Sequence, residues 1–164
     1  MYAIVAVSKD WGIGYKNKLL FSIPSDMKFF RETTKDSVVI MGRKTLESFP
    51  GKKPLKNRIN IVLTNHMDYY AEDAIICHSV SDAVAIAGRQ NKKIFVIGGS
   101  MIYKELLPYC DEIYGTKVDA DATADSFFPN LDELPEWKLI KSSETLSDNG
   151  FEFKFTTYKK DMSY

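Results

Sequence analysis

The sequence is poor in the residues that hold metals and cross-link chains. Only two cysteines, Cys77 and Cys110, and two histidines, His66 and His78, occur in 164 residues. They stand in no CxxC or Cys/His spacing, which argues against a metal site or a disulfide framework and leaves two reduced core thiols as the expectation. Net charge is missing as well, because 22 Lys+Arg offset 22 Asp+Glu. A grip on a phosphate backbone leaves a basic excess, so no nucleic-acid partner is expected. No apolar run approaches the ~20 residues of a membrane span. The opening MYAIVAVSKD starts directly as a strand, without a basic leader or cleavage site. These absences predict a soluble, cytoplasmic protein with no membrane partner. Repeats, low-complexity tracts and Pro/Ser linkers are lacking too, so a single domain over residues 1–164 is expected. No Ser/His/Asp or Cys/His nucleophile set can be argued from spacing, and no glycosidase carboxylate pair either.

What is present is a globular composition, 45% apolar and 13% aromatic. Short Val/Ile-rich runs that do not alternate read as strands covered on both faces: AIVAVS (3–8), SVVIMG (37–42), RINIVLT (58–64), AIIC (74–77) and KIFVIGG (93–99). Helical segments fall between them, Pro24 to Thr34, Arg43 to Phe49, Ser81 to Arg89 and Ser100 to Leu107. Alternating strand and helix predicts crossover units and a parallel sheet. Three later runs, 112–118, 137–143 and 151–160, also read as strands, with SDNG (147–150) as a turn between the last two. Phe151, Phe153 and Phe155 alternate with polar residues, the period of a one-sided antiparallel strand. The fold class is therefore α/β: a single domain built on an open, mixed, mostly parallel eight-stranded sheet with an antiparallel C-terminal strand and helices on both faces.

Ligands of such sheets bind beyond the carboxyl ends of the strands, and several chemically loaded stretches gather there. GRKT (42–45) puts two cations and a hydroxyl at a helix start, where free amide N–H groups already favour an anion; a solvated turn is the commoner reading of that motif alone. Gly98-Gly99 before Ser100 lets a backbone approach closely, whether to another element or to a ligand carrying a diphosphate. Gly12-x-Gly14 lacks the third glycine of the dinucleotide fingerprint. Asp26 opens a helix, which the helix dipole favours by itself. Its neighbours Leu19 to Phe21, Met27 and Phe30 are apolar, however, and no cation lies three or four residues away. A carboxylate without a protein partner suits the planar N–H/NH₂ edge of a 2-aminopyrimidine-like ring. Arg58, beside Phe49 and Leu55, suits a carboxylate at the mouth of the cleft, although a solvated Arg is the usual reading there.

Taken in order, Ile4, GIGYKNKL (12–19), IPSDM (23–27), VIMGRKT (39–45), PLKNRINIVLT (54–64), IGGSMIY (97–103), IYGTKV (113–118) and DSFFP (125–129) make the chain resemble dihydrofolate reductase of the bacterial chromosomal or plasmid type. The resemblance runs from the first strand to the last. It implies reduction of 7,8-dihydrofolate to 5,6,7,8-tetrahydrofolate with hydride from NADPH. It implies Asp26 as the catalytic acid in the pterin pocket, bonded by Thr116. Ile4, Val5, Met27, Phe30, Phe49, Leu55, Ile97 and Tyr103 would complete the substrate pocket, with Arg58 on the glutamate tail. On the cofactor side it implies Ala6, Ile13, Gly14, Asn17, Lys18 and Leu19 at the nicotinamide. Gly42, Arg43, Lys44, Thr45, Leu63, Thr64 and Asn65 would serve the 2′-phosphate and nearby diphosphate oxygens. Gly98, Gly99, Ser100, Met101, Ile102 and Tyr103 would serve the diphosphate, and His78 the adenosine side. A monomer that binds small-molecule substrate and antifolate inhibitors is expected. Leu20 and Phe21 stand where the family usually has proline and tryptophan, which removes an indole N–H near the substrate. An extra residue in SFPGKKPLKNR leaves open whether Lys52 or Lys53 approaches the substrate tail. Two rival functions remain at this point, a non-catalytic pterin- or nucleotide-binding protein and a reductase of a ribosylated pyrimidine.

Overall fold

Val38, Val39, Ile40 and Met41 are all fully buried. Side chains of a strand alternate between faces, so four consecutive buried residues require cover on both sides. That requirement sets the architecture. The computed structural model describes residues 1–163. Its elements, in chain order, are β1 (Tyr2–Val7), β2 (Gly12–Tyr15), β3 (Lys18–Leu19), α1 (Pro24–Thr34), β4 (Val38–Gly42), α2 (Arg43–Glu47), β5 (Ile59–Leu63) and β6 (Ala74–Cys77). They continue as α3 (Val80–Gly88), β7 (Ile94–Gly98), α4 (Ser100–Leu106), β8 (Glu112–Val118), β9 (Ser126–Phe127), β10 (Trp137–Ser142), β11 (Leu146–Asp148) and β12 (Phe151–Lys160).

The central sheet runs β10-β12-β8-β1-β7-β4-β5-β6. From β8 to β6 every pairing is parallel, and β12 joins β8 antiparallel. On one face Ala3, Val5, Val7, Ile40, Ile61 and Val96 pack with Ala83 and Ala87 of α3 and Leu106 of α4. On the other face Ile4, Val39, Met41, Val62, Phe95 and Ile97 pack with Leu46 of α2 and Phe29 and Phe30 of α1. The predicted mixed sheet with helices on both faces is what forms. Cys77 and Cys110 are free and buried. Among the described residues, no helix is long and apolar enough to cross a membrane.

Three details differ from the sequence reading. SDNG is not a simple turn between the last two long strands: Leu146–Asp148 forms the extra strand β11 along one half of β12, while β10 takes the other half. The turn tightens to Asn149 and Gly150, both at positive φ (51° and 81°). A small second sheet, β3-β2-β9, was not anticipated, because strands of two to four residues carry no periodicity. Its hairpin turns at Lys16 and Asn17, with φ of 51° and 63°, the pair of left-handed residues that a two-residue hairpin loop requires. Helix ends shift by one or two residues. α2 stops at Glu47, and α3 starts at Val80 because the Ser79 hydroxyl accepts from Asp82 N at 3.1 Å.

Candidate active site

Parallel strands bring their carboxyl ends to one edge of the sheet, and α1 lies across the face nearest β8. Asp26 sits in the first turn of α1, while Phe29 and Phe30 of the same helix pack onto the sheet. Thr116 in β8 is buried, in register with Ala6 on one side and Phe155 on the other. Its hydroxyl donates to Asp26 Oδ1 at 2.6 Å. The acid that its sequence neighbours leave without a partner therefore has an uncharged one, the threonine that the resemblance implies. No cation pairs with Asp26 among the described residues. Burial raises its pKa above the ordinary carboxylate value, and the Thr116 bond works against that rise. Oδ2 has no hydrogen-bond partner among the described residues, yet no buried side-chain oxygen there goes unsatisfied, so Oδ2 lies open to solvent or ligand.

The expected walls divide. Ile4 and Ile97 are buried in one apolar cluster, and Phe30, Phe49 and Leu55 pack against it half-buried, so these five do come together. Val5 does not join them: alternation along β1 sends its side chain into the opposite layer with Val7 and Val96. Met27, three residues before Phe30 in α1, is 51% exposed. Tyr103 is buried, and its hydroxyl donates to Ile4 O at 2.7 Å. Its phenol pKa is raised by burial first and then by the Asp26 charge, so it lies within the electrostatic reach of that acid.

Arg58 precedes β5 and does not begin it. Its Nε and Nη2 donate to Thr34 Oγ1 at 3.2 and 3.1 Å, Nη2 to Arg31 O at 2.6 Å, and Nη1 to Lys56 O at 2.6 Å. The fork is thereby fixed at the end of α1, with burial holding its pKa below the usual arginine value. Lys52 and Lys53 are exposed beyond it.

Farther along the carboxyl ends of the strands, α2 and α4 begin next to each other after the paired strands β4 and β7. A Cβ at Gly42 would lie 3.1 Å from Ile102 Cγ1, and one at Gly99 would lie 3.9 Å from Thr45 Oγ1. Gly98 has φ 120°, and a Cβ there would reach within 3.2 Å of the Tyr103 ring. The peptide between Gly98 and Gly99 is cis. Gly98 is thus packed against the Tyr103 ring, while Gly99 lies next to Thr45. Arg43 is half-buried and bound to Glu47 at 2.8 Å, whereas Lys44 is exposed without an ion pair among the described residues. Leu63 is buried in the core, and Asn65 is exposed. Thr64 Oγ1 accepts from His66 N at 3.2 Å, and Thr64 O meets His78 Nδ1 at 2.9 Å. Ile13 is buried, Gly14 is buried, Asn17, Lys18 and Leu19 are exposed, and Met101 is 70% exposed.

Sequence reasoning missed the residues that hold the surrounding segments in place. Asp125 Oδ2 accepts from Lys16 N at 3.0 Å, and Asp125 N donates to Gly14 O at 3.0 Å, anchoring the β2–β3 hairpin. Asp148 Oδ2 accepts from Ser25 N at 2.8 Å, capping α1 from outside, and Asn149 Nδ2 donates to Ser22 O at 2.7 Å. These hydrogen bonds from Ser25 hold the Asp148 carboxyl below its ordinary pKa. The helix itself has no side-chain cap at Ile23, and that omission was the one signal available in the sequence. Phe21 packs edge-on to Phe151 with ring centres 5.2 Å apart.

Residues 1–160 match the family model described as dihydrofolate reductase. The chain is 42% identical over 137 residues to dihydrofolate reductase of Buchnera aphidicola (Acyrthosiphon pisum), covering 84% of this chain and 83% of that one. It is 36% identical to dihydrofolate reductase of Bacillus subtilis, covering 98% and 94%. Its structure is similar to that of dihydrofolate reductase from Enterococcus faecalis complexed with NADP(H) and RAB-propyl. There the TM-score is 0.87 and the identity 35%, over 98% of this chain and 95% of that one. The chain also spans 33% of the bifunctional dihydrofolate reductase-thymidylate synthase of Glycine max, at 36% identity.

Proposed function

The chain belongs to the dihydrofolate reductase family and is an NADPH-dependent oxidoreductase, and on that premise we propose that it reduces 7,8-dihydrofolate to 5,6,7,8-tetrahydrofolate at the cleft between α1 and the carboxyl ends of the strands. The observation that carries this reading is the Asp26–Thr116 pair: a carboxylate with raised pKa, one neutral donor, one open oxygen and, among the described residues, no cation. An ion pair would occupy such an acid, whereas the open oxygen is available to the N3 and 2-amino edge of a pterin.

The side-chain-free backbone at Gly98 and Gly99, beside Thr45, supports a place for NADPH. Arg43, Lys44 and Thr45 would hold the 2′-phosphate, with Thr64 and Asn65 beside them. Gly98 to Tyr103 would hold the diphosphate, and Ala6 with residues 13–19 would line the nicotinamide. When bound there, NADPH supplies a hydride to pterin C6. Everything else is the work of this chain's own residues. Ile4, Ile97, Phe30, Phe49 and Leu55 wall the ring and fix its distance to the hydride source, which is positioning in the sense of a near-attack geometry. Arg58, already braced on Thr34 and Arg31, offers the glutamate tail a cation whose rotamer is set in advance. Asp26 fixes the far edge of the pterin and favours its protonated form. Bonded to that edge, it does not reach N5, and water delivers the proton there. Phe21 contributes apolar surface but no N–H, so the water order beside N5 differs from that in relatives with tryptophan at this place. Antifolates with a 2-amino heterocycle would take the same edge of Asp26.

The test is loss of NADPH absorbance with dihydrofolate, run beside NADH. Turnover with a marked preference for NADPH is expected. Binding of both ligands without turnover would overturn the catalytic reading, and equal use of NADH would overturn the role given to Arg43, Lys44 and Thr45.

A further inference from the structure

Three groups that the proposed chemistry does not use meet on the face of β8 opposite Thr116. Lys117 follows Thr116 in the strand, so its side chain leaves the sheet on the other side. Its ammonium donates to Asp132 Oδ2 at 3.0 Å and to the Tyr158 hydroxyl at 3.2 Å, and that hydroxyl donates to Asp132 Oδ1 at 2.7 Å. Each member of this closed triangle bonds both others, which sets the ammonium in one place. The same ammonium stands 5.0 Å from the centre of the Trp11 indole, and the Tyr158 ring meets that indole edge-on at 5.9 Å.

Trp11 needs such a hold. It immediately precedes β2 and has φ 64°, a left-handed backbone that a bulky residue adopts only when its surroundings impose it. Its carbonyl accepts from Phe128 N at 2.9 Å, and its ring stacks on Phe128 with centres 6.3 Å apart. Phe128 directly follows β9, the strand paired with β2, so the two residues close the root of the β2–β3 hairpin. Phe128 also meets Tyr103 edge-on at 4.9 Å, the residue whose hydroxyl holds Ile4 O.

We propose that Lys117 is a positioning residue: fixed by Asp132 and Tyr158, its ammonium clamps Trp11 and thereby sets where the β2–β3 hairpin stands at the nicotinamide side of the cleft. The inference rests on the reading of residues 13–19 as part of the cofactor wall. A cation over an indole face is an attraction worth up to about tenfold in an equilibrium. Removing it lets the strained Trp11 backbone relax and frees the hairpin, while Asp26, Thr116 and Arg58 stay where they are.

Lys117→Met keeps the length of the stem and removes the charge. In the cofactor-free protein, trypsin is expected to cut after the exposed Lys16 and Lys18 roughly five- to tenfold faster than in wild type, the span set by the lost cation–π attraction. KM for NADPH rises by a similar factor, while KM for dihydrofolate stays unchanged. Lys117→Arg restores both, since a guanidinium also stacks on an indole and pairs with a carboxylate. Wild-type cleavage and wild-type KM for NADPH in a folded Lys117→Met protein overturn the proposal. So does faster cleavage spread over the whole chain without rescue by arginine, which marks a merely structural role. Asp132→Asn, in an exposed turn, weakens the same triangle and is read by the same criteria if Lys117→Met fails to fold. A wild-type protein that does not oxidise NADPH with dihydrofolate refutes the functional reading, and the tryptic comparison then still decides whether Lys117 holds the hairpin.

Discussion

Thr116 donates its hydroxyl to Asp26 at 2.6 Å although 90 positions separate the two residues. The contact joins the helix that carries the acid to the strand that runs beneath it, and it is the one hydrogen bond that opposes the effect of burial on the acid. Thr116→Val keeps the shape and deletes the donor. The Asp26 pKa, already raised, then rises further. The pH at which turnover begins to fall with rising pH is expected to move upward, measured as a shift in the pH profile of kcat. An unmoved profile would show that Thr116 does not tune the acid.

Asp26→Asn separates catalysis from stability. Turnover near neutral pH is expected to fall by about 10²–10⁴, with partial recovery in acid, where the ring is protonated without help from the carboxylate. NADPH binding is expected to survive. Stability moves the other way. A carboxyl whose folded pKa lies above its unfolded value gives the native state an advantage at low pH. That advantage disappears as pH rises from the unfolded value through the raised folded one. The asparagine variant is therefore expected to melt above wild type at neutral pH and to lose that lead below the ordinary carboxylate range. Calorimetry at the two pH values decides.

Arg58 is held by Thr34 Oγ1, Arg31 O and Lys56 O before any ligand arrives. Arg58→Lys retains the charge and loses the fork. KM for dihydrofolate is expected to rise about tenfold with kcat unchanged, and stability to drop by about 1 kcal/mol for the lost bonds to α1. Steady-state kinetics and a urea melt measure the two effects separately.

Gly98→Ala places a methyl group at φ 120° and 3.2 Å from the Tyr103 ring. Strain of about 1–3 kcal/mol is expected, together with weaker NADPH binding, because Tyr103 cannot move without releasing Ile4 O. Denaturant melts and a cofactor titration give both numbers.

Much of this site was legible before folding because its residues lie at strand ends that announce themselves. The unbroken run Val38–Met41 gave a strand buried on both faces, and GRKT had to follow it at the ligand edge. Asp26 stood out as an acid in an apolar stretch. What escaped was set by contacts between distant segments of chain. Val5 was named as a wall, although alternation from Ile4 already sends it to the other face. The β2–β3–β9 sheet left no trace in hydrophobic periodicity, because its strands are shorter than one period of evidence. Asp125 stands in the DSFFP motif and Asp148 in the SDNG turn; only the folded chain shows that they accept from Lys16 N and Ser25 N. Arg43 looked like an unclaimed cation, and Glu47, four residues on, is the partner that an i,i+4 count finds.

The outside cap on α1 sets an order of events during synthesis. Ser25 N waits for a carboxylate 123 residues downstream, and the sheet beside β8 is open until the late strand β12 arrives. A ribosome that has delivered the first three quarters of the sequence has delivered nearly every residue of the cleft, yet not the strand and turn that steady the helix bearing its acid. Competence to turn over substrate should therefore appear abruptly, once β12 has been added, and not in proportion to length.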